Sequence, residues 1–164
     1  MESYNHPFAP IIDTDTRILF LGSFPSLASF EHSFYYAHPR NAFWPIMETI
    51  FKTRLNDNET KKAFCLGHGI GLWDVIGSCD RTNSSDTNLK NCIPNDFEKL
   101  LRDYPKIQAL GFTGKKSFDL FMKYYKDLTI EKVLLPSTSP AHAAIKFEEK
   151  KECYENLIAK YLTV

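Results

Sequence analysis

Four short apolar runs, separated by stretches of helical periodicity, constrain this chain more than any other feature of it. The runs cover residues 18–21 (Ile-Leu-Phe-Leu), 70–76, 107–112 and 132–135. Each has the length of a strand and is apolar nearly throughout, the pattern of a strand buried on both faces. Between them, Phe97, Leu100, Leu101 and Tyr104 recur at helical spacing, and Asn95 stands three residues before Glu98 as in a capping box. Phe118, Phe121, Met122 and Tyr125 form a second stripe; Phe147, Tyr154, Leu157, Ile158 and Tyr161 form a third, in a charged C-terminal helix. Strands alternating with helices predict an α/β chain, a three-layer α/β/α sandwich around a central, mostly parallel four-stranded sheet. A length of 164 residues, 43% of them hydrophobic, suffices for one core, and no break in composition suggests a second. A single domain over residues 1–164 is expected.

In open α/β sheets, functional groups gather in the loops past the carboxyl ends of the strands. Here those loops are residues 22–26 with a long continuation to 44, 77–91, 113–117 and 136–142. Within the second, residues 82–91 read as an irregular polar loop. Near the end of the first, Pro45 suits a helix start and pushes Trp44 out of the αR region. Trp44 therefore reads as the cap, with Asn41 upstream in the loop, although an Asn before an apolar helix is also an ordinary N-cap.

Composition removes several function classes. The 20 basic and 20 acidic residues cancel, so any attraction to nucleic acid must come from a local cluster of cations. No apolar run approaches the ~20 residues that span a bilayer, and residues 1–10 lack the charged and apolar regions of a secretory signal. An intracellular, cytoplasmic protein without a membrane partner is expected. The cysteines Cys65, Cys79, Cys92 and Cys153 form no Cys-x-x-Cys pair, and Cys65 with His68 has no matching second pair, so neither a metal site nor any other cofactor is expected. Residues 111–117 faintly suggest a phosphate loop, but Gly111 lies too close to Gly114 and no Ser or Thr directly follows Lys115. Lys61-Lys62 and Lys150-Lys151 read as solvated helix faces.

Four blocks, in order, carry a family resemblance: Leu21-Gly22-Ser23-Phe24-Pro25-Ser26; Tyr36-Ala37-His38-Pro39-Arg40-Asn41-Ala42-Phe43-Trp44; Gly69-Ile70-Gly71-Leu72-Trp73-Asp74-Val75; and Leu135-Pro136-Ser137-Thr138-Ser139-Pro140. Together they resemble the uracil-DNA glycosylase superfamily, within it the mismatch-specific uracil/thymine branch and the deoxyinosine (hypoxanthine) glycosylases. The resemblance spans nearly the whole chain, and the second block is its specific part.

That resemblance implies a metal-free, monofunctional enzyme that flips a deaminated base out of DNA and hydrolyses its N-glycosidic bond, leaving an abasic site. Hypoxanthine is the first expectation, uracil or a mismatched base the alternative, and noncatalytic binding of lesions a second alternative. A monomer acting on DNA is expected. Relatives place a water-positioning Asp or Asn where this chain has Phe24, which can neither orient nor deprotonate water. The deoxyinosine branch implies that Asn41 takes over. A neutral amide is adequate: cleavage passes through a sugar of oxocarbenium character and a departing base anion, so a held water and stabilised charge remove much of the barrier.

The same resemblance implies that Tyr36 stacks on the flipped base, with Phe24 as a further wall, Ser23 at the same turn, Asp74 facing the purine's Watson-Crick edge and Ser137 near the leaving base. It assigns a DNA phosphate contact to Ser139 and gives His142 the position of the wedge that fills the gap in the helix; the Lys115–Lys116 pair at a helix start and Arg40 are further candidate DNA contacts. For several of these the residues alone permit a plainer reading: Asp74 as a turn cap, His142 as a solvated loop residue.

Overall fold

The structure, a computed structural model, describes residues 2–81 and 89–163. The described elements run β1 (Glu2–Asn5), β2 (Ile18–Gly22), α1 (Leu27–His32), α2 (Phe43–Phe51), α3 (Asn58–His68), β3 (Ile70–Asp74), β4 (Ile76–Arg81), β5 (Lys90–Pro94), α4 (Phe97–Asp103), β6 (Ala109–Thr113), α5 (Lys115–Tyr125), β7 (Glu131–Leu135), a 3-10 turn (Pro140–His142) and α6 (Phe147–Tyr161). The central sheet has the order β3-β2-β6-β7, and its three pairings are all parallel.

Strand periodicity explains the layers. In β2, Ile18 and Phe20 enter the core formed with α2, α3 and α6, whereas Leu19 and Leu21 enter the core formed with α4 and α5. The expected three-layer arrangement is therefore what the chain adopts. Among the described residues, no helix is long and apolar enough to cross a membrane.

Phe20 sits at the centre of the first core. Its ring meets Phe43 edge-on at 5.6 Å and stacks with Tyr154 at 5.9 Å, with no solvent exposure. Phe20→Ala is expected to cost about 3–5 kcal/mol of stability, as large-to-small changes at buried aromatic sites do. Equilibrium urea unfolding measures it.

Several expectations require correction. The run at 70–76 is not one strand: β3 ends at Asp74, and β4 begins at Ile76 in a different sheet. The switch occurs where Val75 N donates to Gly22 O and Ile76 N to Ser23 O, which pulls the chain across the end of β2. Residues 77–91 are not simply a loop either, since β4 and β5 pair antiparallel, with β1 on the other edge of β4, in a second, three-stranded sheet. Of the expected irregular loop, residues 82–88 lie outside the described residues, while Lys90 and Asn91 belong to β5.

Two helix starts also differ. The cap of α4 is Asp96, whose side chain accepts from Lys99 N, while Asn95 instead donates to Asp74 O. Helix α2 opens at Phe43 rather than after Trp44, because Asn41 Oδ1 accepts the Phe43 N–H at 2.9 Å and Pro45, in the first turn, has no N–H to satisfy. Trp44 is buried, its indole N–H donating to Tyr35 O. Lys150 is not a solvated residue: it is 4% exposed and donates to His142 O, and burial lowers its pKa. Nor is Lys61 simply solvated, since its ammonium lies 5.2 Å from the Trp44 ring.

Candidate functional site

Strands β2, β3 and β6 end side by side at Gly22, Asp74 and Thr113, and a cavity of about 540 Å³ opens at that edge of the sheet. Its floor follows from glycine. A Cβ on Gly22 would lie 2.6 Å from Asp74 Oδ1, 3.6 Å from Thr113 Oγ1 and 3.7 Å from Tyr36 OH. Three oxygens from three different segments thus surround one small space, which stays open because residue 22 has no side chain.

Asp74 is almost fully buried, and its Oδ2 lies 2.8 Å from His6 Nε2. Tyr36 adopts a left-handed backbone, φ +53°, which costs a non-glycine residue roughly 1–2 kcal/mol. That conformation is held from two directions. The ring stacks on Phe43 at 4.2 Å, and the hydroxyl lies 3.2 Å from Thr113 Oγ1. Phe43 covers one face of the ring, and the residue also lines the cavity. Burial, and after it the nearby Asp74 carboxylate, pushes the Tyr36 phenol well above its ordinary pKa, so it remains a neutral donor.

Asn41 is fixed by the start of α2. With its Oδ1 accepting Phe43 N–H and its own N–H donating to His38 O at 2.9 Å, the amide's orientation is set by the backbone around it. A carbonyl oxygen has two lone pairs, so the bond from Phe43 N–H leaves one acceptor position and both amide hydrogens. The next peptide, Ala42 N–H, donates to Thr138 O at 2.9 Å and ties this loop to residues 136–142.

Phe24 forms a wall, packed edge-on against His6 at 5.9 Å, with the Arg81 guanidinium 5.1 Å from its ring centroid. Arg81 is buried and donates to Pro25 O, which holds the turn after β2. On the opposite loop, Ser137 Oγ accepts from Ser139 N and Ser139 Oγ from Ala141 N, so both hydroxyl oxygens brace the 3-10 turn while their protons stay free to donate. His142 is exposed at the end of that turn. Lys115 and Lys116 open α5 beside Gly114, and Lys115 pairs with Asp119 at 2.6 Å.

Of the residues singled out in the sequence, Ser23, Phe24, Tyr36, Asn41, Asp74, Ser137, Ser139, His142, Lys115 and Lys116 all line this one cavity. Arg40 is exposed and not among the lining residues. Sequence reasoning missed Gly22 as the floor, Thr113 as the partner of Tyr36, His38 in the wall and His6 behind Asp74. The strand-end rule alone points to Thr113, whereas nothing local marks His6, which reaches Asp74 across 68 positions of sequence.

The Uracil DNA glycosylase superfamily model matches residues 9–163. A Methanosarcina acetivorans protein named hypoxanthine DNA glycosylase is 33% identical over 147 residues, 88% of this chain and 91% of the relative. One of the same name from Methanosarcina barkeri is 38% identical over 112 residues, 67% of this chain and 71% of the relative. The solution NMR structure of a Methanosarcina acetivorans protein, described as a candidate uracil DNA glycosylase, superposes with a TM-score of 0.79 at 29% identity, covering 93% of this chain and 96% of the other.

Proposed function

This chain belongs to the uracil DNA glycosylase superfamily, and from that membership we propose that it excises hypoxanthine from deoxyinosine-containing DNA by hydrolysis, acting as a monomer inside the cell and leaving an abasic site. The observation that carries the reading is the convergence of Asn41, Tyr36, Phe24 and Asp74 on a single cavity at the carboxyl edge of the sheet, in a chain whose curated relatives bear that activity in their names.

In the proposed mechanism a flipped purine enters between the loop at 22–26 and the loop at 136–142 and stacks on the face of Tyr36 that Phe43 leaves open. Phe24 supplies an apolar wall on the side where relatives hold a water ligand. The free lone pair of Asn41 Oδ1 accepts a hydrogen bond from a water and holds it beneath C1′, while the glycosidic bond lengthens and charge separates. Asp74 accepts the ring N–H of hypoxanthine. Protons on Ser137 and on backbone amides meet the departing base, and Ser139, Arg40, Lys115 and Lys116 contact phosphates near the N-terminus of α5, where the helix dipole favours anions. His142 fills the vacated place in the stack.

Duplexes carrying hypoxanthine, uracil or xanthine, incubated with excess protein and then alkali, test the reading: strand breaks are expected first and fastest at hypoxanthine. Fastest breaks at uracil would make the chain a uracil or mismatch enzyme. Tight binding to lesion DNA with no breaks would make it a noncatalytic binder.

The floor of the cavity gives a sharper expectation. Gly22→Ala drives a methyl into the Asp74 carboxylate, which is held by a buried partner and cannot swing aside. Excision is expected to fall ~100-fold, the usual scale for a lost preorganised polar contact, with binding to abasic DNA within a few-fold of wild type in a gel-shift titration.

A further inference from the structure

His6 does not line the cavity, yet the fold places it with care. The segment that carries it is pinned at both ends: β1 pairs with β4, His6 N donates to Gly77 O, and Ile11 exchanges two backbone hydrogen bonds with Leu72 of β3. The imidazole is boxed by the rings of Phe8, Phe24 and Tyr35, each within 6 Å of it by centroid. Its side chain is 6% exposed and that of Asp74 5%.

An ionised carboxylate only accepts, so the 2.8 Å contact between His6 Nε2 and Asp74 Oδ2 requires the proton on Nε2. The other ring nitrogen lies 2.9 Å from Phe8 O and 3.3 Å from Phe8 N. A neutral ring accepts the Phe8 N–H there, and a charged ring donates to the Phe8 carbonyl. The bond to Asp74 therefore survives in both charge states.

Oδ2 is thus held toward a ring that stands outside the cavity, and Oδ1 is the oxygen turned to the open space above Gly22. We infer that His6 is a specificity-determining positioning residue: it leaves Asp74 with one oxygen for the base, matched to a purine edge that offers one ring N–H. Hypoxanthine has that edge. Guanine adds an amino group beside the N–H and calls for a second acceptor, while adenine turns a bare nitrogen lone pair to the carboxylate. The inference rests on the reading of the cavity as a hypoxanthine site.

The test uses the full chain as wild type, His6→Leu, His6→Gln, Asp74→Ala and the double variant His6→Leu/Asp74→Ala. Single-turnover excision of hypoxanthine and guanine is measured from matched duplexes, with binding to abasic DNA and thermal melting as controls for folding. His6→Leu should slow hypoxanthine excision ~10- to 100-fold, the scale of a lost hydrogen bond to a charged group. His6→Gln, whose amide places an N–H where Nε2 was, should restore most of that rate. The guanine-to-hypoxanthine rate ratio should rise ~10-fold in His6→Leu, because the freed carboxylate can offer both oxygens. The double variant should be no slower than Asp74→Ala, because His6 acts through Asp74.

Additive losses in the double variant, no rescue by Gln, or an unchanged guanine ratio would overturn the role and leave His6 as packing. A wild type that releases hypoxanthine beside an equally fast His6→Leu would overturn the role alone. A wild type that releases none would overturn the hypoxanthine reading, and this inference with it.

Discussion

Asn41→Ala is expected to lower single-turnover excision of hypoxanthine by roughly two orders of magnitude or more, the range observed when one preorganised polar contact to a transition state is removed. The structure gives this substitution two separable effects. Asn41 Oδ1 also accepts Phe43 N–H, one residue ahead of the N-cap Ala42, and losing a hydrogen bond of this kind costs about 1 kcal/mol of stability. A stability loss of that size leaves the protein folded, so it cannot account for a hundredfold rate loss at saturating enzyme. Asn41→Asp separates the effects further: the carboxylate can also accept Phe43 N–H, and it accepts from water more strongly. Activity at or above wild type in Asn41→Asp, beside near-silence in Asn41→Ala with abasic-DNA binding retained, is the expected pattern. Full activity in Asn41→Ala would remove the amide from the mechanism.

Asp74→Asn is expected to be nearly as damaging, for a different reason. The buried imidazole of His6 donates toward residue 74 and demands an acceptor there. An Asn at 74 meets that demand with its carbonyl oxygen, which turns its amino group to the cavity, where Asp74 Oδ1 now stands. The floor then presents a donor to the purine N1 position instead of an acceptor. Hypoxanthine N1–H meets another N–H, and excision should fall at least ~100-fold, as happens when a site built for one hydrogen-bonding pattern receives its opposite. Adenine, with a bare N1, gains a partner. Duplex DNA carrying an unhydrolysable deoxyadenosine analogue in place of the deoxyinosine analogue should bind the variant better than the wild type. A parallel loss for both bases would show that residue 74 supports the floor without reading the edge.

How much of this was legible in the sequence differs by layer. The parallel sheet was readable because β2, β3 and β6 are buried on both faces, and a nearly continuous apolar run of strand length has few other uses; β7, at the sheet edge with Leu134 exposed, was read from the apolar run at its end. The second sheet was not. In β4, residues Gly77, Ser78 and Asp80 interrupt any apolar alternation, and its pairing with β5 carries register shifts. What holds that strand on its other side is a long-range partner with no local signal, since β1 reaches Arg81 from Glu2. At α4 two capping residues stand side by side, Asn95 and Asp96, and backbone geometry chose the second; at α2 the cap is Ala42, which residue type does not mark, with Asn41 bonding Phe43 N–H from one position further out.

The site followed the same division. Its lining residues came from loops that the strand-end rule marks in advance, and ten of them do share the cavity. The long-range partners were harder: Thr113, which bonds Tyr36, is marked only by its place at a strand end, and His6, behind Asp74, has no local signature. They matter because they fix which atom of each lining residue meets the base.

The central claim is geometric: a purine nucleotide lifted from its helix fits this cavity with Tyr36 against its ring, Asp74 Oδ1 at N1 and the Asn41 carbonyl facing a water below C1′. A crystal structure of the protein with a duplex containing the 2′-fluoro-arabino analogue of deoxyinosine, which resists cleavage, measures all three contacts at once. The account predicts an extruded hypoxanthine stacked on Tyr36, with an ordered water that donates to Asn41 Oδ1 and lies about 3–3.5 Å below C1′. A base still paired in the duplex, or an extruded base with Asn41 on the far side of the sugar from any such water, would contradict it.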